Sequence, residues 1–220
     1  MDRRLFLSAM AAVGCTAALP SSAQSVHTHQ HTFQDAQKWA KIFDDPERDK
    51  WQQPHDVIQA LRLAPDAIIA DIGAGTGYFS VRLAHMVPKG RVYAVDSEEA
   101  MVKHLAERAK REKLTNVVAV AARPDDPKLP QHADLALLVD VYHHIEDRER
   151  YFRRLGDSLK PAGRVAVIDF KLDAPEGPPK AARIAPEKVK AELKAAGYEL
   201  VEEHGFLPYQ YFLIFRRART

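Results

Sequence analysis

Cysteine is almost absent from the 220-residue chain, whose single thiol belongs to Cys15 in an N-terminal segment with the features of a removable leader. If the leader is cleaved, the remaining protein has no cysteine. This excludes disulfide bonds, a cysteine nucleophile and a thiolate metal site from the mature protein. We therefore expect a small domain that is insensitive to redox conditions.

An excess of charge of one sign is also missing, as are long apolar runs. Lys and Arg number 32 against 30 Asp and Glu, so the formal net charge is only +2. Nucleic-acid-binding proteins normally carry a clustered basic face, so we expect no nucleic acid among the partners. No stretch approaches the length of a membrane-spanning helix, and no stable span is expected once the leader is removed. The sequence does not predict the oligomeric state.

Residues 1–23 combine the arginine pair Arg3 and Arg4 with an apolar stretch and the small-residue exit "SSA". These are the three parts of a secretory signal peptide. The arginine pair resembles the twin-arginine signal, which directs the export of folded bacterial proteins. We expect export, with the bacterial periplasm as the destination. As an alternative, the uncleaved leader or a lipid on Cys15 anchors the domain to a membrane.

Residues 24–50 form a second unit, in which alternating histidines precede the helical pattern "FQDAQKWAKIF". The alternation places His27, His29 and His31 on one side of an extended chain, where they are able to bind a metal ion. A polar tail is the favoured interpretation, because nothing rigid is predicted to support the three rings. No metal site is predicted.

Apolar runs and amphipathic helices alternate through the rest of the chain, and a single domain is predicted over residues 51–220. Strands that are apolar on both faces and alternate with helices indicate a parallel sheet covered on both sides. They are predicted at 67–72, 91–96, 116–121, 133–140 and 163–170, the last entered through a turn at "KPAG". Two final strands, 198–206 and 209–217, share a short link and are predicted to form an antiparallel pair at one edge. The predicted class is α/β, Rossmann-like and doubly wound.

The stretch "DIGAGTGYFS", residues 71–80, carries the most specific motif. The dinucleotide fingerprint G-x-G-x-x-G requires a glycine where this chain has Tyr78. Asp71 would repel a pyrophosphate but suits a ligand with an ammonium group, and S-adenosylmethionine has such a group and no phosphate. Asp96 follows Gly77 by 19 residues, a spacing that suits a carboxylate bound to both ribose hydroxyls.

With these motifs, residues 51–220 resemble the class I S-adenosylmethionine-dependent methyltransferases, and in particular the small bacterial ubiquinone/menaquinone-methylase-like enzymes. "ADIGAGTGYFS" is similar to their first motif, "VYAVD" to the second, "DLALLVDVYHHI" to the fourth and "LKPAGRVAVIDF" to the strand-five motif. The resemblance implies a mostly parallel seven-stranded sheet with an antiparallel last strand. It also implies S-adenosyl-L-methionine as the cofactor.

Carried over residue by residue, the resemblance assigns cofactor contacts to the glycine loop and to the residues that follow the second and fourth strands. An adenine contact falls on either Asp125 or Asp126, in the loop after the third strand. The full set of predicted cofactor-binding residues is Asp71, Gly73, Ala74, Gly75, Gly77, Tyr78, Asp96, Ser97, Met101, Asp125, Asp126 and Asp140.

The stretch "VDVYHHI" follows the fourth strand at the edge where sites open in such sheets. Tyr142, His143 and His144 are the candidate catalytic residues, with one of the two histidines expected to be structural. A base is needed only if the acceptor, predicted to be a small molecule, loses a proton during methyl transfer. Asp140 and Asp169 resemble the metal-holding acids of catechol methyltransferases, but Phe170 stands where an asparagine is expected. No metal is therefore predicted.

Two functions fit these residues. The first is an exported methyltransferase with an unidentified acceptor. In this function the segment 171–186 is a candidate lid over the acceptor site. The second is a non-catalytic sensor or scaffold that binds S-adenosylmethionine without consuming it. The enzyme would consume S-adenosylmethionine, whereas the sensor would bind it unchanged.

The leader predicts a specific response to mutation. A fusion of residues 1–30 to a reporter that is active only when exported folded should reach the periplasm, and Arg3→Lys with Arg4→Lys should stop it. Lysine cannot reproduce the planar guanidinium pair that this machinery recognises. Equal export of the lysine variant would instead indicate the general secretory route, which threads unfolded chains.

Overall fold

The computed structural model describes residues 35–218. The predicted signal (1–23) and the histidines His27, His29 and His31 lie outside the described residues. Within residues 35–218, no helix combines the length and apolar character needed to cross a membrane.

Helices and strands alternate along the chain, as the sequence pattern predicts. The helices are Ala36–Phe43 (α1), Arg48–Gln52 (α2), Pro54–Leu61 (α3), Tyr78–Met86 (α4), Glu99–Arg111 (α5), Arg148–Asp157 (α6) and Pro186–Ala195 (α7), with short 3₁₀ turns at Tyr142–His144 and Lys180–Ala182. The strands are Ile68–Ile72 (β1), Arg91–Asp96 (β2), Val117–Ala121 (β3), Ala133–Val139 (β4), Leu159–Phe170 (β5), Tyr198–His204 (β6) and Gln210–Arg217 (β7).

The strands form one seven-stranded sheet in the order β3-β2-β1-β4-β5-β7-β6. Strands β1 to β5 pair in parallel, whereas β7 runs antiparallel to both β5 and β6. The prediction of a doubly wound, mostly parallel sheet with an antiparallel last strand is therefore confirmed. The last strand lies between β5 and β6, so β6 forms the edge.

Apolar layers cover both faces of the sheet. On one face Phe152 of α6 and Leu193 of α7 pack against it, and on the other face Ile58 of α3 and Leu83 of α4 do so. Burial on both faces explains why the central strands read as continuous apolar runs. The helices that follow β1 and β4 thus lie on opposite faces of the sheet.

The turn predicted at "KPAG" is wrong, because β5 begins at Leu159 and runs through these residues. Leu159 pairs with Ala133 of β4, and the register then shifts before Leu135. The shift accommodates Pro161, which has no N–H to donate to a regular ladder.

The candidate lid follows β5, and one arginine organises its first part. The Arg183 guanidinium donates to the carbonyl oxygens of Lys171, Leu172, Ala174, Glu176 and Pro178, at 2.6–3.4 Å. The segment also passes close to the end of β5, because a Cβ added at Gly177 would lie 2.5 Å from the Phe170 ring. Movement of this segment as a lid stays a prediction.

We expect Arg183→Ala to lower the free energy of unfolding by about 1–2 kcal/mol, because several carbonyl groups lose their donor together. Protease cleavage within 171–183 should also become faster. Arg150→Ala is the matched control, since Arg150 forms an exposed ion pair with Asp147 worth at most about 1 kcal/mol. Urea denaturation and limited proteolysis measure both effects, and equal behaviour of the two variants would contradict the role given to Arg183.

Candidate active site

The site is built where the strand order reverses. β1 and β4 are hydrogen-bonded neighbours, but the helices that follow them pack on opposite faces. The two connections therefore diverge and leave a crevice at the carboxyl ends of these strands, the usual ligand position in open α/β sheets.

The glycine loop leaves β1 in a conformation that other residues rarely adopt. Gly73, Gly75 and Gly77 have φ values of 67°, 56° and 92°, in the left-handed region that favours glycine. Gly73 is further required by packing, because a Cβ there would lie 2.3 Å from a methyl group of Val141. Ala74 N–H donates to the Val95 carbonyl at 2.9 Å, which fixes the loop to β2.

Asp71, next to the loop, is a buried carboxylate without a cationic partner at hydrogen-bond distance among residues 35–218. It is 3% exposed and accepts a hydrogen bond from the Ser80 hydroxyl at 2.6 Å. Burial, together with the nearby charge of Asp96, raises the pKa of Asp71 to about 7. A cationic ligand group would stabilise the ionised form of this carboxylate.

Asp96 ends β2 and braces the glycine loop. One carboxylate oxygen accepts from Gly75 N–H at 2.8 Å and the other from Glu98 N–H at 3.0 Å. Burial raises the pKa of Asp96 despite these bonds. Of the two residues predicted to flank adenine, Ser97 is exposed and Met101 is almost fully buried on α5.

Asp140 follows β4 with a φ of 59°, a left-handed conformation that aspartate tolerates better than most residues. Its carboxylate accepts from the Gln210 amide and lies 3.5 Å from Arg48 Nη2. Burial raises the pKa of Asp140 to about 7, against the lowering effect of Arg48 and with a further raising effect of Asp169. Asp140 is thus a second acid with a raised pKa at the crevice.

His143 and Asp169 form a pair beside this acid. Asp169 ends β5 next to β4 and accepts from the His143 backbone N–H at 3.2 Å and, at 2.9 Å, contacts its Nδ1. Burial opposes the charged imidazolium, but the hydrogen bond and charge of Asp169 outweigh it and raise the pKa of His143 above its usual value of 6.5. With Nδ1 as donor to the carboxylate, Nε2 is the nitrogen that accepts a proton.

The other two candidate catalytic residues have different surroundings. Tyr142 is fully buried in the core, stacked on Phe152, and its hydroxyl donates to Glu192 at 2.6 Å. His144 is exposed, with its ring centroid 4.2 Å from that of His143. These surroundings favour His143 as the base and a packing role for Tyr142.

Asp125 and Asp126, predicted as alternative adenine contacts, form ion pairs in the loop after β3. Asp125 pairs with Arg154 at 2.6 Å and Asp126 pairs with Lys128 at 2.9 Å. An adenine contact by either acid would need this pairing to change, and it stays a prediction.

Two polar residues of α2 were missed by the sequence analysis. Arg48 and Gln52 reach the ends of β4 and β7, where the Gln52 amide donates to Gln210 at 2.6 Å. No motif indicates Arg48 or Gln52, since a five-residue helix leaves almost no periodic signal. Trp51, an aromatic residue considered from the sequence as a possible border of the pocket, packs on the ring of Phe170 at 5.6 Å between centroids.

Comparison with known proteins shows what the domain is similar to. The profile of a family described as a methyltransferase domain matches residues 70–165. The crystal structure of a SAM dependent methyltransferase from Aquifex aeolicus superposes with a TM-score of 0.76 and 26% identity, covering 82% of this chain and 97% of that one. Residues 70–165 therefore match a methyltransferase domain in sequence, and the described fold resembles that of a SAM dependent methyltransferase. The cofactor predicted from Asp71 and the glycine loop is thereby supported.

Curated relatives match over a shorter length. A protein-L-isoaspartate O-methyltransferase of Aeropyrum pernix is 32% identical over 115 residues, 50% of this chain and 42% of the relative. A ubiquinone/menaquinone biosynthesis C-methyltransferase UbiE of a Shewanella species is 27% identical over 117 residues, 51% of this chain and 46% of the relative. The matched part spans less than half the length of these relatives.

A more distant structure shows the same fold with ligands. An O-methyltransferase from neocarzinostatin biosynthesis, in complex with S-adenosyl-L-homocysteine and 1,4-dihydroxy-2-naphthoic acid, superposes with a TM-score of 0.67 at 16% identity, covering 84% of this chain and 59% of that one. At this identity the likeness concerns the fold alone.

The residues present in the crevice fit S-adenosylmethionine. The lack of a side chain at Gly73 lets the loop backbone pack directly against Val141 after β4, which brings the ends of β1 and β4 close together. The buried Asp71 and the partly buried Asp140 have raised pKa values, as expected for desolvated carboxylates whose charge is not fully compensated by a cation. The cofactor carries positive charge on both its sulfur and its amino group. These positive charges complement the negative charges of the Asp71 and Asp140 carboxylates.

The raised pKa values predict a pH dependence of cofactor affinity. Asp71 and Asp140 have pKa values of about 7. Below this pH they become neutral, and a neutral carboxyl attracts an ammonium group less than a carboxylate does. Affinity for S-adenosylhomocysteine should therefore rise about tenfold between about pH 6 and about pH 8 and fall again on acidification. Calorimetric titration measures it. Asp71→Asn should reduce this dependence, and an unchanged pH profile in that variant would contradict the assignment.

Proposed function

We propose that the protein is a methyltransferase that transfers the methyl group of S-adenosylmethionine to a small molecule whose attacking atom loses a proton. The observation that carries the proposal is the buried His143–Asp169 pair next to the cofactor crevice. A histidine held by a carboxylate is a suitable general base near neutral pH.

In the proposed reaction the chain binds and orients the reactants. Asp71 and Asp140 would hold the amino group of the cofactor, and Asp96 its ribose hydroxyls. When bound, the cofactor supplies an electrophilic methyl group on a positively charged sulfur. Such a displacement depends mainly on alignment and on exclusion of water, to which the burial of Asp71 and Asp96 contributes.

His143 would act as the base, with Asp169 as its positioning residue. Nδ1 donates to Asp169, and Nε2 takes the proton that leaves the acceptor. Asp169 then stabilises the resulting imidazolium, as the raised pKa of His143 indicates. Only the neutral imidazole accepts a proton, so activity should increase with pH through a value above 6.5.

A small acceptor is favoured by the elements that cover this edge. Phe43 approaches the glycine loop, with ring atoms 3.6 Å from a Cβ added at Gly75. Trp51 lies against Phe170 and Tyr209, at 5.6 and 6.0 Å between ring centroids. These aromatic side chains would leave room for a small and largely flat acceptor more readily than for a folded polypeptide.

Tyr211 supports an acceptor with a polar group. Its hydroxyl is buried and has no hydrogen-bond partner among residues 35–218, and it stands opposite Asp169 in the β5–β7 register. An unsatisfied buried hydroxyl costs about 1–3 kcal/mol. A hydroxyl or carbonyl of the acceptor would remove that cost.

We also propose that the domain acts outside the cytoplasm, on the strength of the twin-arginine-like leader at residues 1–23. Export in the folded state would let the protein carry its cofactor outward. The non-catalytic sensor is the competing function, and it has no specific observation in its favour.

The test uses residues 24–220 with methyl-labelled S-adenosylmethionine and a panel of small phenols, enols and an isoaspartyl peptide. With the acceptor that is methylated, His143→Gln should lower turnover about 10²–10⁴-fold and change S-adenosylhomocysteine affinity less than about twofold. Asp169→Asn should lower turnover and shift the pH profile towards lower pH. His144→Gln is the control and should retain most activity.

Two results would overturn parts of this proposal. Binding of S-adenosylmethionine without methylation of any acceptor by the wild-type protein favours the sensor. Equal loss of turnover in the His143 and His144 variants would remove the base assignment. Nuclear magnetic resonance titration of the His143 ring checks its raised pKa without any acceptor.

A further inference from the structure

The segment around α2 covers the glycine loop through a charged side chain that the proposed reaction does not use. Arg48, the first residue of α2, lies with its guanidinium carbon 4.1 Å from the centroid of the Tyr78 ring and 5.8 Å from that of Trp51. It is also close enough to influence the ionisation of Asp71 and Asp140. Arg48 therefore stands above the ends of both β1 and β4.

The guanidinium is oriented mainly by uncharged groups. Nη1 donates to the Phe43 carbonyl at 3.1 Å and Nη2 to the Gln52 side-chain oxygen at 2.9 Å. Its contact with the Asp140 carboxylate is at the distance limit, 3.5 Å, and that carboxylate already accepts from Gln210. A mostly buried positive charge, 14% exposed, is thus fixed in position mainly by uncharged groups, with a carboxylate oxygen of Asp140 at 3.5 Å.

Tyr78 is the residue that breaks the dinucleotide fingerprint, and it supports this arrangement. Its ring lies between two guanidinium groups, Arg48 at 4.1 Å and Arg82 at 4.0 Å. Its hydroxyl donates to Asp49, the neighbour of Arg48 on α2. A glycine at this position would offer neither the ring face nor the hydroxyl, so Tyr78 is well suited to position Arg48.

The charges of the crevice match an amino-acid group. The acids Asp71 and Asp140 suit an ammonium, and one arginine among them suits a carboxylate, which guanidinium binds with two parallel hydrogen bonds. The methionine end of the cofactor carries both groups on one carbon. Arg48 and the acids are close enough to interact, as a ligand with adjacent opposite charges requires.

We propose that Arg48, held against Tyr78, binds the carboxylate at the methionine end of the cofactor, so that α2 forms one wall of the cofactor site. The inference rests on the proposed binding of S-adenosylmethionine and adds a residue to it. It gives α2 a role in cofactor recognition that the glycine motif alone does not supply.

The test compares two ligands that differ at the amino-acid end. S-adenosylhomocysteine has the carboxylate, whereas 5′-methylthioadenosine lacks the whole amino-acid group. Arg48→Gln should weaken S-adenosylhomocysteine about 10–100-fold, the effect of losing a charge-assisted pair, and 5′-methylthioadenosine less than about twofold. Arg48→Lys keeps the charge but loses the planar fork, so its loss should be intermediate.

Arg82→Gln is the matched control, because Arg82 stacks on the opposite face of Tyr78 and pairs with Asp49 at 3.0 Å. It should leave both affinities within about twofold of wild type. Tyr78→Leu should weaken S-adenosylhomocysteine selectively, and less than Arg48→Gln does. Calorimetry gives the affinities, and a thermal melt confirms that each variant is folded.

Three outcomes would overturn the inference. Equal weakening of both ligands by Arg48→Gln would show that Arg48 only holds the fold. Unchanged S-adenosylhomocysteine affinity in that variant would show that Arg48 does not contact the cofactor and would direct it to an anionic acceptor. If wild-type protein binds neither ligand, cofactor binding itself fails, which is distinct from a failure confined to Arg48.

Discussion

Asp71 and Asp140 are carboxylates at the ends of two neighbouring strands, Asp71 buried and Asp140 partly buried, and their desolvation determines which ligands the crevice suits. Burial raises the pKa of both acids to about 7, so each is readily neutralised unless a cation is bound. Within the protein these acids are stabilised by neutral donors: the Ser80 hydroxyl donates to Asp71 and the Gln210 amide donates to Asp140. The positive charge of an adenosyl ligand such as S-adenosylmethionine would compensate the negative charge of the two carboxylates.

The same edge of the sheet holds the proposed chemistry because β4 and β5 end side by side. The short turn after β4 brings His143 back to Asp169 at the end of β5, where burial and hydrogen bonding fix one nitrogen of the ring. The cofactor crevice lies between β1 and β4, one strand away. The proposed sites of the methyl donor and of the base are therefore neighbours as a consequence of strand order.

Much of the fold was predictable because its signals are local. Apolar runs separated by amphipathic helices indicate a doubly wound parallel sheet, and the short link between the last two strands indicates their antiparallel pairing. Prediction failed at "KPAG", where a register shift lets β5 continue through Pro161. It also missed α2, whose five residues form a helix that lies over the glycine loop.

By itself, the sequence determined the sheet, the glycine loop and the adenosyl type of ligand, since each depends on residues that are close in the chain. Only the tertiary structure decided which side chains meet at the crevice. His143 and Asp169 are 26 positions apart, Arg48 and Asp140 are 92 apart, and Gln52 and Gln210 are 158 apart. No local pattern encodes such pairs, because their contacts arise from the order in which the strands pack.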